Sequence, residues 1–243
     1  MSNAMISVII PTIDEEESID RLLPYLQRES SGSSIEMIVS DGGSHDRTVD
    51  TARRHGARVI RCDRCGRAVQ MNRATHAARG SILYFLHADT FPPRRYGRIV
   101  CDAVKNGIDV ATFRLGFDDP HFFLRANAWF TRFDIDAFRF GDQSLLVTRA
   151  LFDRCGGFDE RLVLFEDQEI VGRLRRAGRF ALLPQSVTTS ARCYRDNGVY
   201  RLQMIYAYLC ALYRCGVSQD CLRRVAKRWI YGRRGLTESG SVS

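Results

Sequence analysis

The stretch Ile82-Leu-Tyr-Phe-Leu-His-Ala-Asp-Thr90 places five consecutive apolar residues directly before a histidine. Gly80-Ser81 precedes the run and Pro92-Pro93 follows it, which predicts a strand buried on both faces, as in a parallel sheet covered by helices. Ligands of open parallel sheets bind beyond the carboxyl ends of the strands. Asp89 is therefore a candidate site residue, although a lone Asp in this position more often caps a turn.

Three segments upstream repeat this pattern of an apolar run followed by a polar loop and a helical period. Strands are predicted over 6–10, 35–39 and 57–61, and helices over 15–28, 44–55 and 66–79. Ser44 is the predicted N-cap of the second helix. Strands that alternate with helices through short loops predict a parallel sheet with right-handed crossovers. The loop residues Thr12, Glu15 and Asp41 should then meet Asp89 at one edge of the sheet.

The second half of the chain is less regular. Strands are predicted over 109–115 and 144–148, and helices within 122–140 and over 149–155 and 168–177. We expect one α/β domain with a mostly parallel central sheet and helices on both faces. Its parts would be a nucleotide-binding half (5–115), an acceptor and catalytic half (116–195) and a basic helical extension (196–243). Residues 1–4, Met-Ser-Asn-Ala, resemble the remnant of an expression tag.

Composition bounds the class of protein. The chain has 243 residues, 45% of them hydrophobic and 26% charged, as is typical of a soluble globular protein. It has no apolar run of roughly 18 residues, so we expect a cytoplasmic protein without a membrane span. Eight cysteines without regular spacing suit a reducing compartment. Cys62-Asp-Arg-Cys65 is half of a zinc site and is better interpreted as a pair of free thiols.

The net charge of +8 is consistent with nucleic acid, anionic lipid or a phosphate-bearing substrate as partner. The sequence has no zinc-finger spacing, no aromatic RNA-binding signature and no internal repeat, so nucleic acid is not expected. For a nucleoside diphosphate, Asp41 could accept the imide hydrogen of a pyrimidine. Asp89 with His87 could hold Mg²⁺ or Mn²⁺ against the diphosphate, and Arg67 would add positive charge.

The order of four motifs resembles that of the family 2 inverting glycosyltransferases with the GT-A fold. The four motifs are Ser7-Val-Ile-Ile-Pro-Thr12, Ile38-Val-Ser-Asp-Gly-Gly-Ser44, Gly66-Arg-Ala-Val-Gln-Met-Asn72 and Leu86-His-Ala-Asp-Thr90. The whole resemblance covers about residues 5 to 195. Gly156-Gly-Phe-Asp-Glu160 and Glu166-Asp167 are similar to the acceptor-side and catalytic motifs of that family. The chain looks most like its small, single-domain bacterial members, in which His-Ala-Asp replaces Asp-x-Asp.

The resemblance implies a role for each matching residue. Asp167 would be the general base, Asp89 and His87 would bind Mg²⁺ or Mn²⁺, and a nucleoside diphosphate-sugar would be the donor. The residues implied on the nucleotide side are Pro11, Thr12, Glu15, Asp41, Arg67 and Asn72. Those implied on the acceptor side are Asp142, Gln143 and Glu166. The chain departs from the family at Asp14, where the family usually has Asn, and at His87, which makes the identity of the metal open.

The C-terminal extension predicts two further helices. The first, over 199–213, is strongly apolar but too short to span a bilayer, and the second, over 219–231, has a basic face that could lie on an anionic membrane. The alternatives are a helix packed on the domain with a solvated face, and a homodimer contact. A membrane-binding extension would suit a lipid-linked acceptor and a peripheral location on the inner membrane face.

Two other functions compete with sugar transfer. A nucleotidyltransferase would need a glycine-rich loop after the first strand, and Pro11-Thr-Ile-Asp-Glu15 contains no glycine. A catalytically silent nucleotide-sugar-binding or membrane scaffold protein stays open, because His87 could impair the metal site.

Overall fold

The computed structural model of the chain describes residues 4–64, 66–133 and 143–231. Its first half alternates strictly between strands and helices: β1 (Ile6–Thr12), α1 (Glu16–Glu29), β2 (Ile35–Asp41), α2 (Thr48–Arg54), β3 (Arg58–Arg61), α3 (Arg67–Ala77) and β4 (Ile82–Phe85). The predicted strands and helices of this half are confirmed, with small shifts at their ends. The exception is the predicted cap, since α2 begins at Thr48 and Ser44 lies outside it.

In the second half, the predicted strands over 109–115 and 144–148 and the predicted helices over 149–155 and 168–177 are confirmed, whereas the strands over 90–91 and 180–189 and the helix over 96–105 were not predicted. Its elements are β5 (Thr90–Phe91), α4 (Tyr96–Lys105), β6 (Val110–Phe117), α5 (Phe122–Phe130), β7 (Leu145–Thr148), α6 (Arg149–Arg154), α7 (Glu166–Ala177) and β8 (Phe180–Thr189). The predicted helix within 122–140 is confirmed as α5, and residues 134–140 lie outside the described part of the chain.

The C-terminal segment is helical, as predicted. It contains α8 (Arg192–Asn197), α9 (Val199–Arg214) and α10 (Gln219–Ala226), and a π-helical turn (Lys227–Tyr231) replaces the end of the predicted second helix. Within the described ranges, no helix combines the length and the apolar character that crossing a membrane requires.

The strands form one mixed sheet in the order β3-β2-β1-β4-β7-β6-β8-β5. The pairs β1–β2, β1–β4, β2–β3 and β6–β8 are parallel, whereas β7 runs antiparallel to both β4 and β6, and β5 is antiparallel to β8. Phe85 therefore lies opposite Leu145, at the point where β4 ends and β7 begins. This reversal brings the start of β7 to the same edge as the ends of β1, β2 and β4.

Apolar side chains cover both faces of the sheet. In β1, Ile6, Val8 and Ile10 pack on one face with α1, whereas Ile9 points to the other face with Met71 of α3 and Ile170 of α7. A third cluster joins Leu124 of α5 to the C-terminal helices. Helices therefore flank both faces, as predicted, and the C-terminal helices have a core of their own.

Candidate active site

The ends of β1 and β2 are held together by a buried amide. Thr12 pairs with Asp41 in the parallel register, and the Gly42 N–H donates to the Thr12 carbonyl at 2.9 Å. The Gln70 side chain, which is buried, donates from Nε2 to the carbonyls of Thr12 and Ser40 at 2.9 and 2.8 Å. A carbonyl buried without a donor is costly, so Gln70 stabilises the floor of this edge. The sequence motif contained Gln70 but did not reveal this contact.

Asp41 has its carboxylate fixed by its own loop. Its oxygens accept from the N–H groups of Gly43 and Ser44 at 3.2 Å and from the Ser44 hydroxyl at 2.5 Å. Ser44 therefore orients Asp41 and does not cap α2, which corrects the prediction. The two turns that follow β1 and β2 are thereby held in a defined shape.

Asp14 fastens the loop after β1 to the loop after β2. It adopts a left-handed φ of 51°, and its Oδ1 accepts from the His45 N–H at 2.6 Å. Its own N–H donates to the Ser44 hydroxyl at 3.0 Å. The carboxylate of Asp14, where the family usually has Asn, is thus directed to backbone donors. Asp46 accepts from Thr48 and Glu16, and although burial opposes it, these hydrogen bonds hold the pKa of Asp46 below its ordinary value.

His87 and Asp167 meet where β4 ends and α7 begins. The His87 Nε2 lies 3.8 Å from the Asp167 Oδ2, and both side chains are largely buried. This separation is longer than a hydrogen bond, so the contact is electrostatic. Burial alone would raise the pKa of Asp167, but the interaction with His87, and then the charge of Arg67, hold it below the ordinary value. Asp167 therefore stays ionised at neutral pH.

Glu166 is the buried neighbour of Asp167. Its side chain is 1% exposed, and its Oε1 lies 2.8 Å from the Nε of Arg67, the first residue of α3. Burial raises the pKa of Glu166 against the opposing charge of Arg67. The structure thus gives Arg67 a carboxylate partner, whereas the resemblance implied a position near the nucleoside.

Asn72 connects α3 to the loop before α7. Its amide group donates to the Phe158 carbonyl and accepts from the Phe158 N–H, both at 2.9 Å, and also donates to Glu160 at 3.1 Å. These contacts brace the Gly156-Gly157 loop. The geometry gives Asn72 a structural function, and its implied place beside the nucleoside stays a prediction.

A narrow cleft opens beside His87 and Asp167. Gln143 and Thr112 also line it, and both lie at the edge that the reversal of β7 creates. The Thr112 hydroxyl is buried and has no hydrogen-bond partner in the described part of the chain. An unsatisfied hydroxyl beside a cleft is suited to a ligand, and Thr112 was missed because a threonine in a strand gives no local signal. Of the implied acceptor-side residues, Asp142 lies outside the described residues.

The C-terminal segment also reaches this edge. The Ser190 N–H donates to the Asp89 carbonyl at 3.1 Å, and Arg192, at the start of α8, lies 3.0 Å from the Oε1 of Glu15. Ser18 donates to the other oxygen of Glu15 at 2.7 Å. Arg192 is thus a cation beside the predicted site residue Glu15, and sequence reasoning missed it because the contact joins residues 177 positions apart.

The side chains near the site indicate how a divalent metal ion could be held. No group of three or more His, Cys, Asp or Glu side chains in the described ranges is arranged to hold an ion by itself. Mg²⁺ commonly takes one or two protein carboxylates and completes its shell with phosphate and water. The single carboxylate of Asp89 fits an ion bound together with a diphosphate. The predicted partner His87 faces Asp167 as well, so its role as a ligand stays a prediction.

The structure brings together most of the predicted residues. Thr12, Glu15 and Asp41 lie at the ends of β1 and β2 or in the loops that follow them, and His87 and Asp89 follow β4 on the neighbouring side of β1. Pro11, within β1, is buried one residue before Thr12. The seven cysteines that the structure describes are free, and Cys65 lies outside the described residues.

Comparison with known proteins identifies relatives by sequence. The family described as Glycosyl transferase family 2 matches residues 7–158. The chain is 31% identical over 112 residues to dolichol-phosphate mannosyltransferase of Pyrococcus furiosus, which covers 44% of this chain and 32% of that protein. It is 28% identical over 195 residues to succinoglycan biosynthesis protein ExoA of Rhizobium meliloti, which covers 70% and 58%. The chain thus spans less than two thirds of the length of these relatives.

Solved structures show the same fold. A mannosyltransferase from Pyrobaculum calidifontis in complex with GDP-Man and Mn²⁺ has a TM-score of 0.63 at 18% identity, over 96% of this chain and 70% of that one. Glucosyl-3-phosphoglycerate synthase from Mycobacterium tuberculosis in complex with Mn²⁺, UDP-Glc and phosphoglyceric acid has a TM-score of 0.62 at 19% identity, over 89% and 81%. The predicted GT-A architecture is confirmed.

Proposed function

Because the chain belongs to glycosyl transferase family 2, we propose that it transfers a sugar from a nucleoside diphosphate-sugar to an acceptor hydroxyl, with inversion at the anomeric carbon. The observation that carries the proposal is the position of Asp167. Its carboxylate borders a cleft and lies 3.8 Å from His87, in the loop that also contains Asp89. A candidate base and a candidate metal ligand thus lie at one edge of the sheet.

The donor would bind across the ends of β1 and β2. Asp41, fixed by Ser44 and the loop N–H groups, would face the base of the nucleotide. Arg192 would supply positive charge for the diphosphate, and it would then exchange its present partner Glu15 for phosphate oxygens. Charged hydrogen bonds from a guanidinium to phosphate are strong, which favours this exchange.

A divalent ion would be held by Asp89. When bound, Mg²⁺ or Mn²⁺ would neutralise the charge that develops on the leaving diphosphate. Two of the structural relatives contain Mn²⁺ with a nucleotide-sugar, which supports this assignment. Since Asp89 offers one carboxylate, we expect metal and nucleotide to bind cooperatively.

Asp167 would accept the proton of the acceptor hydroxyl as that oxygen attacks the anomeric carbon. Its lowered pKa keeps it deprotonated at neutral pH but limits its strength as a base. Glu166 and Arg67 would fix the start of α7 and so orient Asp167. Gln143 and Thr112, which line the cleft, would contact sugar or acceptor hydroxyls.

We propose a lipid-linked acceptor, for which the name of the dolichol-phosphate relative gives support. Such an acceptor would place the protein peripherally on the cytoplasmic face of a membrane. Phosphoglyceric acid, which accompanies another structural relative, is the small-molecule alternative. The sugar and the nucleotide base are the variables for the first experiment.

The test begins with thermal unfolding in the presence of UDP-, GDP- and dTDP-sugars, each with and without Mn²⁺. A ligand that binds the folded chain raises the melting temperature. With the donor that binds, release of the nucleoside diphosphate is then measured for the wild type, Asp167→Asn and the control Asp153→Asn on α6. We expect Asp167→Asn to lower kcat about 10²- to 10⁴-fold with little change in donor affinity. Binding without turnover in the wild type would instead identify a silent nucleotide-sugar-binding protein.

A further inference from the structure

Helix α9 has an apolar exposed side as well as an apolar buried side, although it lies at the surface. Leu202, Ile205 and Leu209 are buried against Leu222 and Ala226 of α10. Of its 16 residues, Arg201 and Arg214 are the charged ones. A surface helix normally turns a polar face to water, and a helix that is hydrophobic all round is normally covered.

Among the described residues, no other element covers one side of α9, and this apolar strip is called the α9 stripe. Its members share one face of the helix and are Tyr200, Met204, Ala207, Tyr208 and Ala211, all of which are exposed. Tyr200 is 63%, Met204 70% and Tyr208 45% exposed. At 1.5 Å per residue the stripe is about 17 Å long.

Other exposed aromatic side chains extend the α9 stripe at both ends. At one end, Tyr200 contacts the ring of Phe123, and the adjacent Phe122 is 82% exposed. At the other end, Tyr208 stacks on the exposed ring of Trp229 at a centroid distance of 5.4 Å. Contiguous exposed apolar surface of this kind marks a site of contact with a protein or a membrane.

The charge around the α9 stripe selects between these partners. Between residues 199 and 231 the chain carries six Lys and Arg residues and one acid, Asp220, which is a net charge of +5. A second copy would bring an equal positive charge against it, whereas anionic lipid would be attracted. Residues 232–243 add two arginines, one acid, Glu238, and, as larger apolar side chains, Leu236 and Val242. This composition makes them a poor cover for the stripe.

We propose that the α9 stripe, with Phe122 and Trp229, docks on an anionic lipid bilayer. The aromatic rings would enter the interface while Lys227 and Arg228 meet the headgroups, as in amphipathic helices that lie in the membrane plane. Helix α8 connects this surface directly to Arg192 at the candidate active site. The cleft would then stand close to the membrane surface, a consequence that rests on the proposed function, whereas the docking itself does not.

The experiment is flotation of the full chain with vesicles of phosphatidylcholine alone or mixed with phosphatidylglycerol. We expect binding to the mixed vesicles, and its loss at about 0.5 M salt, because salt screens attraction to anionic headgroups. The variant Tyr200→Ser/Met204→Ser/Tyr208→Ser should bind at least about tenfold more weakly. These side chains are exposed, so its melting temperature should match that of the wild type.

A pair of charge variants tests the electrostatic part. Lys227→Gln/Arg228→Gln should weaken binding about tenfold. The control Arg98→Gln/Lys105→Gln on α4 removes the same charge from another surface and should leave binding unchanged. Equal loss in both variants would show non-specific attraction and would overturn the proposal.

Two further outcomes would also overturn it. One is the absence of wild-type binding to the mixed vesicles. The other is a mass measurement in which the wild type is a dimer and the triple serine variant a monomer, which would assign the stripe to a second copy. Nucleotide-sugar hydrolysis in solution, measured on the same variants, reports on the proposed transfer chemistry separately, because no stripe residue lies in the cleft.

Discussion

Glu166 and Asp167 show how adjacent carboxyl groups acquire opposite properties. Both stand in the first turn of α7, but Arg67 is the ion-pair partner of Glu166 and His87 is the neighbour of Asp167. Burial raises the pKa of Glu166, while His87 and Arg67 hold the pKa of Asp167 down. Pairs whose environments separate their pKa values are typical of acid–base sites. The sequence predicted the pair; the difference between its members depends on contacts from α3 and β4.

The raised pKa of Glu166 predicts a pH-dependent stability. Above the ordinary value of 4.5 the unfolded chain releases this proton before the folded chain does, so the contribution of Glu166 to stability falls as pH rises towards its raised pKa. In Glu166→Gln this loss disappears. We expect the variant to gain stability relative to the wild type as pH rises from 4.5 towards the raised pKa of Glu166, measured by urea unfolding. An unchanged difference across this range would contradict the assignment.

Residues of the first half could be predicted because each follows an apolar strand directly. Thr12, Asp41 and Asp89 were found in this way. Arg192 and Thr112 could not be found in this way. Arg192 is held at the site by an ion pair with a residue distant in sequence, and Thr112 lies there because β7 runs antiparallel to its neighbours. Neither cause leaves a local pattern in the sequence.

At the scale of elements, predictability follows burial. The strands β1, β2 and β4 are almost wholly buried and were predicted from their apolar runs. Strand β8 contains Pro184 and exposed polar residues, and its pairing with β6 shifts register there, because proline cannot donate to a sheet. Strand β5 has two residues and depends on its partner β8. Helix α4 was not predicted, although its apolar residues do have helical spacing, and that spacing could have revealed it.

At the junction of β1, β2 and α3, we expect that Gly42 cannot be replaced by a larger residue without loss of stability. A Cβ at Gly42 would lie 2.8 Å from Ile13 Cγ1 and 2.9 Å from Gln70 Nε2. Gly42→Ala would therefore displace Gln70 from two carbonyls, and we expect a loss of about 1–3 kcal/mol in the free energy of unfolding. Gly172→Ala in α7 is the control, because its Cβ would meet no atom within 4 Å. We expect that variant to be neutral or up to about 1 kcal/mol more stable.

At the scale of the whole molecule, three separate apolar clusters stabilise the fold. Two lie on opposite faces of the sheet, and the third joins α5 to α8, α9 and α10. Phe117 and Phe165 lie at the margin of the third cluster and connect it to the sheet domain. The C-terminal helices thus have a core of their own beside the two cores of the sheet.

Because the clusters are separate, a cavity in one cluster should destabilise mainly the elements that surround it. Leu209→Ala removes a fully buried side chain from the third cluster and should cost about 2–5 kcal/mol of local stability. We expect faster hydrogen exchange in α9 and α10, with β1 and β2 unchanged, because cooperative units open separately. Leu23→Ala in α1 should accelerate exchange in the sheet instead. A uniform acceleration in the first variant would show one cooperative unit.

The strand order carries a kinetic consequence. Strands β1 to β4 pair with one another within the first 85 residues, so their contacts do not depend on the second half of the chain. Strand β5 can pair only after β8 is present, because Thr90 pairs with Thr189. Long-range pairing is slow because the intervening chain must first be ordered. On the ribosome, strands β1 to β4 would emerge and become structured before β8, the partner of β5, has been synthesised.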